Sequence, residues 1–120
     1  MKKDTLIFIE HIIESINLIE DFSKSLTKEK LESDKLRQSA IIRQIEIIGE
    51  AIKNLPKIFM EKYPQVMWKD IVGTRDRVIH QYFDIDIAIV WDIISKDLPV
   101  LKKQIEDILE KEKTLRENIK

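Results

Sequence analysis

Ile41, Ile45, Ile48, Ile52 and Leu55 recur at steps of four, three, four and three residues. That alternation holds every one of these side chains on one side of a helix, as in the seam of a bundle. A strand would instead show a period of two. Leu6, Ile9, Ile12, Ile13, Ile16 and Ile19 recur at three- and four-residue steps in the same manner. With 120 residues the chain can bury one core, and two glycines with three prolines leave few places for tight β-turns. The expected fold is therefore all-α, an antiparallel four-helix bundle with one or two short extra helices.

The first helix is expected from Asp4, a good N-cap, to about Phe22. A polar connection over residues 23–30 follows, with a short helical turn around Leu31. A second long helix should start near Ser33 or Asp34 and end before Pro56. Gly49 inside it costs roughly 1 kcal/mol against alanine, which points to close approach by a neighbouring helix. Pro56 suits a first helical turn, giving a short helix to Lys62. The third major helix is expected from Trp68 to about Tyr82, with Ile71 and Val78 on one face. Asp84 and Asp86 offer caps for a fourth, which carries Ile87, Val90, Trp91 and Ile94. Pro99 should kink that helix or restart it from Asp97. Residues 1–110 thus read as a single helical domain, and residues 111–120 as a charged, frayed tail.

Other chemistry is narrowed by composition. Without cysteine there can be no disulfide, no thiolate zinc site and no thiol nucleophile. The first apolar stretch is broken by Glu10, His11 and Glu14, unlike a signal peptide, and no run is long enough to span a bilayer. A cytoplasmic address is expected, with no membrane partner. The formal net charge of −1 does not suit a protein that grips many phosphates, so any action on RNA must use a local site or a weak, brief encounter.

Two polar clusters stand out. Arg43, Glu46 and Glu50 share one face of the second long helix. Their spacing fits a solvated face with one helical ion pair, or a small site for a phosphate. The second cluster runs from Gly73 to Asp84 and holds Arg75, Asp76, Arg77, His80 and Tyr82. Histidine moves protons at neutral pH, and arginine offers a permanent forked cation that matches a phosphate. Together they suit RNA cleavage without a metal or other cofactor. On one continuous helix, however, Arg75 and His80 would lie roughly 140° apart. The helix must loosen before His80, or Arg75 must swing across, or a second copy must supply the partner; a two-fold dimer would gather both residues in one cleft. Asp76 could simply pair with His80 at the surface, and spacing alone leaves a structural role for His80 open. His11, without such company, reads as structural, and Trp68 and Trp91 read as core.

The run Trp68-x-x-Ile71-x-Gly73-x-Arg75-Asp76-x-x-Ile79-His80-x-Tyr82-Phe83-x-Ile85-Asp86 resembles the signature of the HepT-like toxins of the HEPN superfamily. Arg43-x-Ile45-Glu46-Ile47-Ile48-Gly49-Glu50-Ala51 resembles that family's other marked helix, and Leu98-Pro99-x-Leu101 also fits. The resemblance implies a HEPN-like helical domain acting as the toxin endoribonuclease of a type VII toxin–antitoxin system. It implies Arg75 and His80 as the catalytic pair, with Asp76 and Arg77 supporting them. Cleavage would need no metal and leave a cyclic phosphate and a 5′-hydroxyl. Tyr82 matches the tyrosine that a minimal nucleotidyltransferase antitoxin modifies with AMP. Homodimers and higher assemblies are implied too. A different reading of the same resemblance is a non-catalytic module that binds nucleotide or substrate for a nucleotidyltransferase.

Overall fold

The computed structural model describes residues 4–81 and 84–119, with side chains for all of these except His80, Gln81 and Ile119. The fold is all-α. Helix α1 (Thr5–Ser23) begins where the Asp4 carboxylate accepts from the Leu6 amide. The short α2 (Lys28–Glu32) is capped by Thr27, and α3 (Lys35–Lys53) by Asp34. Pro56 caps α4 (Lys57–Lys62), one position earlier than the first helical turn.

The seam expected from periodicity is the core. Ile9, Ile12, Ile16 and Ile19 of α1 are fully buried, as are Ile41, Ile48 and Ile52 of α3 to within a few per cent. Leu31 of α2 joins them, and the buried Gln38 side chain donates to the Leu31 and Glu32 carbonyls. This amide joins the Asp34 N–H at the Leu31 carbonyl and also bonds that of Glu32, and so fixes the end of α2 against α3.

The segment 68–82 is not one helix. It divides into α5 (Trp68–Val72) and α6 (Thr74–Val78), separated at Gly73. The Thr74 hydroxyl donates to the Asp70 carbonyl, an acceptor that a continuous helix gives to the backbone N–H four residues on. After Val78 the chain becomes extended, with Ile79 at φ −116° and ψ 104°. The β-branched pair Val78 and Ile79 favours that change, with Val78 fully buried and Ile79 packed on the core. Strand β1 (Ile79–Gln81) pairs antiparallel with β2 (Asp84–Ile85), Ile79 opposite Ile85, and the Asp86 N–H donates to the Val78 carbonyl at 2.7 Å. Of the two aspartates expected as caps, Asp86 caps α7 (Ile87–Asp92), while Asp84 lies in β2.

Pro99 does not restart the last helix from Asp97; it follows a local widening of that helix. Helix α7 passes through a widened π turn (Ile93–Asp97) directly into α8 (Leu98–Ile119). Proline has no N–H to give and its ring crowds the carbonyl four residues back, and one wide turn accommodates both constraints. Ion pairs then tie α8 antiparallel to α1: Arg116 to Asp4 at one end, Lys102 to Glu20 at the other. The charged stretch from residue 111 continues in helix to Ile119, and Glu112 accepts from both the Tyr63 hydroxyl and Lys62. Burial, then the Glu112 carboxylate, pushes the Tyr63 hydroxyl above its ordinary pKa. No helix among the described residues is long and apolar enough to cross a membrane.

Close approach at Gly49 is present but leaves room. A Cβ built there would lie 3.8 Å from the Val72 carbonyl oxygen and 3.9 Å from its Cα, ordinary contact distances. Gly49→Ala should therefore raise stability by about 0.5–1 kcal/mol in urea unfolding; a loss would show that α5 cannot yield the space. A second expectation concerns pH. The Arg116 guanidinium and the Leu6 amide hold the Asp4 carboxyl at about 2, below the ordinary 3.8. A depressed carboxyl stabilises the fold above its unfolded value and loses that effect as pH falls through its folded value. Asp4→Asn keeps a cap acceptor but loses the pair with Arg116. Near neutrality it should cost no more than about 1 kcal/mol, since the pair is exposed. That difference should close between about pH 4 and pH 2, and a difference constant with pH would contradict the assignment.

Candidate active site

The two polar clusters of the sequence meet in space. Arg75 projects from α6 and donates through Nε to Glu46 Oε2 on α3 at 2.8 Å. The other Glu46 oxygen lies 4.0 Å from Arg43 Nη1, at the outer limit of an ion pair. The helical pair expected on α3 is thus the weaker of the two contacts Glu46 makes. Glu50 takes no part, since its carboxylate faces Lys53 at 3.6 Å.

Arg75 is held by one edge. Asp76 Oδ1 stands 3.8 Å from its Nη1, too far for a hydrogen bond, and no described residue hydrogen-bonds to either Nη atom. The side chain is 48% exposed. A forked donor edge therefore faces outward, with the charge and geometry that a phosphate oxygen pair accepts.

The remaining residues of the cluster are dispersed. The Asp76 side chain is 87% exposed. Arg77 turns to the other side of α6, where Nη2 donates to Thr74 Oγ1 at 3.2 Å. There it borders a cleft of about 400 Å³ between α3, α5 and α8, lined by Ile45, Ile71, Ile93 and Leu101. The backbone of His80 lies in β1, beyond the end of α6. The angle of a continuous helix therefore does not separate Arg75 from His80, and Asp76 does not share a helical turn with His80. The helix loosens before His80, one of the three arrangements the sequence allowed. The angular argument for a second copy falls away with it. The His80 side chain and the whole of Tyr82 lie outside the described residues. His11 sits exposed on α1 with its ring edge-on to Phe8. Among the described residues no three carboxylates or histidines gather as a metal would require.

Trp68 anchors the segment that carries Arg75. Its indole N–H donates to the Met60 and Tyr63 carbonyls, which fixes the start of α5 against the end of α4. Asp86 holds the other side by capping α7 through the Ile89 amide. Sequence reading had no means of pairing Glu46 with Arg75, because 29 residues separate them and no period connects the two.

The fold and site together define a small helical domain that presents a forked cation on a short helix between a glycine break and a strand. The chain belongs to the HepT-like ribonuclease family, whose description, Ribonuclease HepT-like, matches residues 12–108. A Thermococcus cleftensis protein named probable ribonuclease HepT is 39% identical over 90% of this chain and 98% of its own length. A Caldanaerobacter subterraneus protein named putative RNase is 43% identical over 88% of this chain and 95% of its own. A Methanocaldococcus jannaschii protein, whose name joins gamma-glutamylcyclotransferase to putative RNase, is 47% identical over 92% of this chain. The match spans half the length of that relative. No solved structure matches the chain.

Proposed function

We propose that this protein is a metal-independent endoribonuclease, the toxin of a toxin–antitoxin pair, with Arg75 and His80 as its catalytic groups. The observation that carries the reading is Arg75 itself, bonded at Nε and with no described residue bonded to its Nη edge, in a chain that belongs to a ribonuclease family. Cleavage follows from that chemistry. A histidine takes the proton of the ribose 2′-hydroxyl as its oxygen attacks the adjacent phosphorus. The bond from phosphorus to the 5′-oxygen breaks, and that oxygen leaves with the proton the histidine gives back. The products are a cyclic phosphate and a 5′-hydroxyl, and no metal enters. Arg75 stabilises the charge that accumulates on the phosphorane oxygens.

Asp76, beside Arg75, supports the site by charge, whereas Arg77, bonded to Thr74 on the other side of α6, does not join it; the active form is a homodimer in the cytoplasm. The dimer rests on the family resemblance rather than on helix geometry. Tyr82 is the switch in this reading. A nucleotidyltransferase antitoxin adds AMP to it, and the added bulk and negative charge oppose the binding of RNA.

The test is incubation of the purified protein with total RNA and with tRNA in the presence of a chelator. Wild type should cut RNA to cyclic-phosphate ends, and His80→Ala and Arg75→Ala should each lose about a hundredfold or more while staying folded. Tyr82→Phe should keep cleavage and escape silencing by the antitoxin. Cleavage by His80→Ala at the wild-type rate would refute the mechanism. Tight RNA or nucleotide binding without cleavage would instead establish a non-catalytic partner of a nucleotidyltransferase, a role the net charge of −1 also suits.

A further inference from the structure

We infer that Glu46 is a positioning residue for RNA cleavage, holding Arg75 by its Nε so that the paired Nη atoms meet the scissile phosphate. The inference rests on the ribonuclease reading above and extends it to a residue on a different helix. An arginine side chain has several rotatable bonds, and its fork is useful only when the guanidinium plane is fixed. Arg75 stands on a helix of five residues between a glycine break and a strand, a poor platform by itself. Glu46 stands on α3 next to Ile45 and two residues before Ile48, both buried in the seam. The rigid helix thus supports the cation of the irregular segment through the 2.8 Å bond.

Two features separate positioning from blockade. A carboxylate that competed with RNA would occupy the Nη fork in bidentate fashion. Glu46 bonds Nε, no described residue bonds the Nη edge, and the Asp76 carboxylate stands 3.8 Å from Nη1. Arg43, 4.0 Å from the second Glu46 oxygen and 68% exposed, offsets the negative charge that Glu46 brings to the site.

The experiment compares wild type, Glu46→Ala, Glu46→Gln and Arg75→Ala in steady-state RNA cleavage, with thermal denaturation in parallel. Glu46→Ala should lower kcat roughly tenfold to a hundredfold, the scale expected when a catalytic group is misplaced. Its KM should stay within about twofold, because the lost interaction matters in the transition state. Tm should hardly move, since the pair is partly exposed. Glu46→Gln retains an oxygen that accepts from Nε and should recover most of kcat. The inference is overturned if Glu46→Ala cleaves as fast as wild type or faster, or if Glu46→Gln is as impaired as Glu46→Ala. Those results count against Glu46 alone when wild type cleaves and Arg75→Ala does not. If wild type fails to cleave, or Arg75→Ala cleaves normally, the ribonuclease reading falls and this inference falls with it.

Discussion

Helices α1 and α3 meet along isoleucines withdrawn almost wholly from water, with Ile9, Ile12 and Ile16 on one side and Ile41, Ile45 and Ile48 on the other. Full burial of one such side chain contributes about 1.5–3 kcal/mol, so this seam outweighs any surface ion pair in the molecule. It fixes the rotation of α3 about its own axis, and that rotation decides which α3 residues face outward. With Ile45 and Ile48 turned in, Glu46 is left on the flank where α6 passes. The polar site is thus a consequence of the apolar one.

The irregular segment between α3 and α8 answers to the same core. Val78 and Ile79 turn inward and take the chain from helix to strand, and Trp68 secures the beginning of α5 with two hydrogen bonds. Arg75 lies between these anchors. A cation on so short a helix needs outside support, and Glu46 supplies it from the rigid seam. Helix α8 closes the bundle by burying Leu101, Ile105 and Ile108 in the same core, with ion pairs to α1 and the Glu112 contact with Tyr63 at its surface.

Regular elements were legible in the sequence because their signals are local. Asp4, Thr5–Ser23 and the four-three spacing of α3 gave the two long helices almost to the residue. Where competing local preferences meet, the reading failed. Ile71 and Val78 lie seven apart and share a helical period, so the segment passed for one helix. Gly73, the Thr74 hydroxyl and the paired β-branched residues at 78 and 79 instead divide it and end it early. Pro99 was similarly ambiguous, because a π turn is a response to neighbouring packing that no single residue announces. At the site, the residue types in the Arg75 cluster and their chemistry were readable, whereas the Glu46 contact was not. It depends on how α3 is turned by its buried face, a tertiary fact.

The claim at the centre of this account is that Arg75 meets RNA through its Nη edge while Glu46 keeps its Nε. Arginine side-chain NMR, with Arg75 assigned by substitution, tests it directly by titrating in a 2′-O-methyl RNA that binds but cannot be cut. The account predicts that the Arg75 Nη signals shift and slow in rotation on binding, while the Nε–H stays in its carboxylate-bonded position. Nη signals unmoved at saturating RNA, or an Nε–H that leaves Glu46 when RNA binds, would contradict it.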